Sequence, residues 1–107
     1  MAVTDTEQEL VVRLLSRDLT ATIGAGHEEV AARNADRVRQ FIGDADEYVA
    51  RVVGDTQQDV HDLRIDTTWP ECPRHGQHPL WFHDNAWWCE RDRVPVADLG
   101  GLAPRAR

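Results

Sequence analysis

The sequence predicts an α+β fold in which a helical N-terminal part carries a small C-terminal β-hairpin or three-strand unit. Three observations lead there. Apolar residues recur at helical spacing from Leu10 to Leu63. From Trp69 the composition changes abruptly, and both cysteines, three of the five histidines and all four tryptophans fall between Trp69 and Cys89. Within that stretch two aromatic-rich runs flank a turn sequence, His83-Asp84-Asn85-Ala86. The 107 residues divide into an acidic, mainly helical part (1–66), the hairpin unit (67–100) and a short tail (101–107), which together amount to one domain.

The first helix opens at Thr4 and Glu7, a capping box, and carries Leu10, Val11, Leu14, Leu15 and Leu19 as its apolar stripe. The segment Leu19–Gly26 breaks it, and its Thr20–Ile23 portion is compatible with a short strand, because Thr and Ile favour extended backbone. A second helix is expected over Glu28–Ile42, with Val30, Val38, Phe41 and Ile42 on one face and Gly43 at the stop. Asp44 and Glu47 form a second capping box, opening a third helix to about Leu63 along Tyr48, Val49, Val52, Val53, Val60 and Leu63. Gly54 weakens its middle by about 1 kcal/mol relative to alanine, so two shorter helices are the alternative. These stripes read as core, not as a cofactor or lipid site. From Gly100 onward the chain reads as a loose tail.

Charge narrows the function classes. Residues 1–66 hold fourteen acidic residues and seven arginines, giving −7, while residues 67–107 hold five of each, giving 0. The helical part therefore carries all of the net charge, which reads as a solvated acidic surface and disfavours polyanion binding. All twelve basic residues are arginine, and with abundant Ala, Val, Asp and Gly this points to a GC-rich bacterial coding sequence. No apolar run reaches the ~18 residues of a membrane span. Asp5, Glu7 and Glu9 stand where a secretory signal needs positive charge, so a cytoplasmic location is expected.

The chemistry concentrates at Cys72-Pro73-Arg74-His75-Gly76. Two donors separated by two residues can face one ion from a tight turn, the proline stiffening it and the glycine letting the backbone reverse after the second donor. This run resembles the first knuckle of zinc-ribbon proteins, usually C-P-x-C-G, with His75 in place of the second cysteine. The family's Pro-Leu pair is matched by Pro79-Leu80, and its aromatic ahead of the third ligand by Trp87-Trp88-Cys89. The run WPxCPxHxxHPLWF…WWC is also similar to one found in small actinobacterial proteins, which implies no activity. The resemblance implies a C-terminal zinc ribbon with Zn2+ as cofactor, ligands at Cys72, His75 and Cys89, and a third strand at Val94–Leu99.

The chain departs from the family at the fourth ligand. Asp92, separated from Cys89 by two residues, stands where a zinc ribbon has its last cysteine. Zinc accepts carboxylate, but structural sites favour Cys and His, so His78, His83 and Asp92 compete. A turn centred on Asp84-Asn85 pairs Phe82 with Trp87, Trp81 with Trp88 and Leu80 with Cys89. Side-chain alternation then puts His78 on the face of Cys89 and His83 on the other, an arrangement that a three-residue loop would reverse. His78 brings the favoured donor and a neutral site. However, it lies three residues from His75, and the proline after it biases it toward extended backbone. Asp92 has the template spacing and leaves the site at −1, which Arg91 or Arg93 would offset. The expected set is Cys72, His75, His78 and Cys89, with Asp92 as the alternative fourth ligand.

Other uses of these residues are weighed beside this one. The cross-strand aromatic pairs stabilise a hairpin by roughly 0.5–1 kcal/mol each, with one face packed on the helices. Stacking on a nucleobase needs a basic groove, which Arg74, Arg91 and Arg93 do not supply. A Cys72–Cys89 disulfide is disfavoured in a reducing compartment and leaves the histidines unexplained. His27 and His61 read as helix-surface residues. A catalytic zinc needs an open position, a water and a base such as Glu71 or Glu90, and no HExxH spacing is present. The expected function is thus a non-enzymatic zinc-binding protein in which the metal replaces core the hairpin lacks, acting through contacts with a protein partner. A transcription-associated ribbon contacting nucleic acid ranks second, and a small metal-dependent hydrolase third.

Overall fold

The structure, a computed structural model, describes residues 3–104. Three helices, α1 (Asp5–Ile23), α2 (Glu28–Arg39) and α3 (Ala45–Asp62), precede three strands, β1 (Trp81–His83), β2 (Ala86–Cys89) and β3 (Val94–Asp98). The α+β fold with a helical N-terminal part and a C-terminal three-strand unit is as expected.

Both reciprocal bonds of the capping box at Thr4 and Glu7 are present. Val11, Leu15 and Leu19 are buried, whereas Leu10 is largely exposed. The helix continues through Thr20–Ile23 with no strand. There the Thr22 hydroxyl donates to the Asp18 carbonyl at 2.7 Å, so a β-branched polar residue is satisfied within the helix. α2 stops three residues before the expected Ile42. The amides of Phe41 and Ile42 both turn onto the Val38 carbonyl at 3.1 Å, and Gly43 is not left-handed. Phe41 is consequently no core residue: it is 56% exposed, with the Arg51 guanidinium 5.4 Å above its ring. α3 opens with the Asp44 carboxylate accepting the Glu47 amide at 3.0 Å. It runs unbroken through the exposed Gly54, and Leu63 beyond its end is exposed.

A polar seam joins α2 to α3. The buried Asn34 amide donates to Thr56 Oγ1 and Asp59 Oδ2, and the Tyr48 hydroxyl donates to the Ala35 carbonyl at 3.0 Å. Every buried polar group here has a partner, which is what makes its burial tolerable.

The sheet is an antiparallel meander in the order β1-β2-β3. Trp81 pairs with Trp88, Phe82 with Trp87 and His83 with Ala86, across a two-residue turn in which Asp84 and Asn85 take φ of 49° and 60°. Asp and Asn tolerate that left-handed backbone, which is why this pair makes the turn. Phe82 meets Trp87 edge-on at 5.1 Å. Trp81 does not stack on Trp88 as expected; it lies flat on His83 at 4.7 Å, two residues along the same strand face. Trp88 instead turns its indole N–H onto the His83 carbonyl at 2.8 Å.

The sheet rests on α1 and α3. Trp87 is fully buried, and its indole N–H donates to Asp18 Oδ2 at 2.8 Å. The amides of Gly100 and Leu102 donate to the same carboxylate at 2.8 and 2.9 Å. One turn along α1, Thr22 Oγ1 accepts the indole N–H of Trp69 at 2.7 Å. From α3, Gln57 donates to the Leu80 carbonyl at 3.2 Å. Asp18 therefore corrects the reading of the N-terminal charges as wholly solvated. Gly100 and Leu102 correct the reading of a loose tail from Gly100 onward; Arg105–Arg107 lie outside the described residues. At Gly100, φ is 87° and a Cβ would stand 2.6 Å from Leu14 Cδ2 and 3.3 Å from the Leu14 backbone, so only glycine lets the chain pass α1 there.

Asp18→Ala strands three N–H donors at about 1–3 kcal/mol each, so denaturant melts should show a loss of about 3 kcal/mol or more. Asp18→Asn, which sets its own amide against one donor, should lose less. Burial also pushes the Asp18 carboxyl above the usual carboxylate range, against the pull of its donors. The folded protein therefore holds that proton more tightly than the unfolded chain. Its contribution should fall as pH rises from the ordinary carboxyl value through the raised one, a slope absent from Asp18→Asn. Gly100→Ala should cost about 2 kcal/mol or more, through positive φ and overpacking together. A melt within error of wild type would show that the contact with Leu14 yields.

Candidate metal site

Two tight turns frame the site. The first is a loop closed by two bonds, the Leu80 amide on the Pro70 carbonyl at 2.7 Å and the Cys72 amide on the His78 carbonyl at 2.8 Å, which together make an antiparallel bridge between Glu71 and Pro79. At its tip the His75 amide reaches the Cys72 carbonyl at 3.3 Å. The left-handed residue that reverses the chain is Gln77, at φ 62°, not the expected Gly76. The second turn links β2 to β3. The Arg93 amide donates to the Cys89 carbonyl at 2.7 Å, and the Asp92 amide points at Cys89 Sγ at 3.4 Å. An N–H aimed at sulfur strengthens when that sulfur is an anion, which suits a metal-bound thiolate.

These turns bring His75, Cys89 and Asp92 together, with one ligand atom from each within 4.8 Å of the others. Cys89 is buried, His75 half-buried and Asp92 mostly exposed, so the group lies at the surface with its sulfur inward. His75 Nε2 is 3.0 Å from Asp92 Oδ2. The same oxygen accepts Arg74 Nε at 2.8 Å. These bonds, Arg74's first, hold the Asp92 carboxyl below its usual range, so it is an anion at neutral pH.

Of the residues singled out by sequence, His75, Cys89 and the alternative Asp92 are in this group; Cys72 and His78 are not. Cys72 is nonetheless buried at the base of the first turn, and its thiol is free. The Arg74 guanidinium has its pKa pushed up chiefly by its hydrogen bond and charge pairing with Asp92. His78 offers a separate observation: its Nε2 is buried with no hydrogen-bond partner. A buried nitrogen without a partner is rare and leaves a lone pair or a proton unused. His83 stacks beneath Trp81 and pairs with Asp84 at 3.2 Å, outside the group. His61 is exposed beside Asp62, and His27 precedes α2 without capping it through its side chain. The partner of Asp92 is Arg74, not Arg91 or Arg93, which are nearer along the chain; sequence proximity gives no signal for a pair formed across two turns.

Beside the first turn, a cavity of about 570 Å³ opens between the ribbon and α1, lined by Trp69, Pro70, Cys72, Pro73, Val96 and Leu102 among others. Among the described residues no helix is long and apolar enough to cross a membrane. In comparisons with protein-family models, curated proteins and solved structures, nothing matches this chain.

Proposed function

We propose that this protein is a small non-enzymatic zinc-binding module. In this reading its metal ties two turns together, and its outer surfaces serve contacts with a protein partner. The observation that carries this is the convergence of His75, Cys89 and Asp92 from two turns seventeen residues apart, as measured from His75 to Asp92. Cys72 is the fourth donor, as the spacing of the first turn implies. Zinc bound there supplies a four-coordinate crosslink and no reaction. The unpartnered Nε2 of His78 supports a second arrangement, with His78 in the place of Asp92. The apolar cavity beside Cys72 is the surface best suited to a partner, because closing the first turn on a metal shapes its wall.

Purified protein should carry one zinc per chain by elemental analysis, released by acid or a chelator. The inner face of the sheet is held by the helices, so metal removal should raise amide exchange in residues 71–79 and 89–93 while leaving Trp87 buried. No bound zinc, or no change in exchange on chelation, would sink the proposal. In parallel zinc titrations, Asp92→Ala should lose far more affinity than His78→Ala or His83→Ala. The opposite order would install His78 as the ligand.

The nucleic-acid reading is disfavoured by a net charge of −7 and by the engagement of Arg74 with Asp92. A labelled-oligonucleotide titration at about 150 mM salt should show no saturable binding. Sub-micromolar binding that weakens with salt would restore the transcription-associated ribbon.

A further inference from the structure

We infer that Arg74 sets the strength of the metal site by holding Asp92 in ligating position, an inference that rests on the metal reading above. Arg74 lies inside the first turn, between Cys72 and His75, whereas Asp92 closes the second turn. Their ion pair at 2.8 Å therefore crosses from one turn to the other, beside the atoms that would hold the ion.

Two physical effects act together. Asp92 is on an exposed turn, and a lone surface carboxylate has its choice of rotamers in water. Arg74 Nε fixes the oxygen that stands 3.0 Å from His75 Nε2, so part of the ordering cost of coordination is met before the metal arrives. Charge is the second effect. Two thiolates and one carboxylate leave a zinc site at −1, and the guanidinium returns it to neutral. As an isolated surface pair, Arg74–Asp92 would contribute little to stability. Its effect is therefore expected in metal affinity, not in the fold.

The inference has a signature that general destabilisation lacks. With Asp92 present, Arg74 helps the site; with Asp92 removed, Arg74 is an uncompensated positive charge beside a cation. Its effect on affinity must then vanish or change sign. The experiment is a zinc competition titration against a chromophoric chelator. It uses the full chain as wild type, Arg74→Ala, Arg74→Lys, Arg91→Ala, Asp92→Ala and the Arg74→Ala/Asp92→Ala double variant. Cobalt(II) spectra read the ligand set, and tryptophan fluorescence reads the fold. Arg74→Ala should lose about 10–100-fold in affinity while its saturated cobalt spectrum keeps the wild-type shape. Arg74→Lys should lose less and Arg91→Ala nothing. In the Asp92→Ala background, Arg74→Ala should cost nothing or improve binding. An Arg74→Ala affinity equal to that of Arg91→Ala, or an equal loss with and without Asp92, would overturn the inference while leaving zinc binding intact. Wild-type protein that takes up neither metal would overturn both.

Discussion

Asp18 sits within α1 with no exposed surface, and its two oxygens take the indole N–H of Trp87 and the amides of Gly100 and Leu102. An ionised carboxylate accepts hydrogen bonds and donates none, so three converging donors are the environment it requires once it leaves water. The two ends of the sheet's last two strands are drawn to one point on one helix. Thr22 adds the indole of Trp69 a turn further on, and Trp69 and Trp87 then meet edge-on at 5.6 Å. Helices and ribbon consequently share a single core, in which Trp69, Cys72, Leu80, Trp87 and Cys89 lie in one cluster with Leu15, Leu19 and Val52.

That anchoring changes what the proposed metal would have to do. A free-standing zinc ribbon depends on its ion for the whole fold, but here the inner sheet face is already covered by helices. The portion left with least support is the outer part of the two turns at the other end of β2, residues 73–77 and 90–93, beyond the buried Cys72 and Cys89. The first turn has a short ladder of its own between Pro70 and Leu80, and the second rests on the Arg93 amide and the Cys89 sulfur. A crosslink between the turns would stiffen the mouth of the apolar cavity along Trp69, Pro70 and Pro73.

Local signals were legible in the sequence; long-range ones were not. The cap at Thr4, the turn at Asp84-Asn85 and the register of Phe82 with Trp87 all follow from neighbours a few residues apart and appear as read, while at Asp44 the expected box is half made, its carboxylate taking the Glu47 amide without the reciprocal bond. Apolar spacing alone extended α2 to Ile42, because nothing local shows that Val38 takes both following amides. Asp18 looked like one more solvated acid, since its partners lie 69, 82 and 84 residues away. At the candidate metal site, spacing pointed to both turns and brought His75, Cys89 and Asp92 into view. Donor chemistry ranked His78 above Asp92, whereas the structure seats Asp92 in the group and leaves His78 outside it. Arg74 could not be ranked from sequence, because its pairing with Asp92 depends on the two turns facing each other.

The most direct test of the account is zinc-edge X-ray absorption on the purified, folded protein. A four-coordinate ion with two sulfurs at about 2.3 Å and two nitrogen or oxygen atoms at about 2.0–2.2 Å is the expected result. No zinc, a shell of oxygens alone, or fewer than two sulfurs would contradict it.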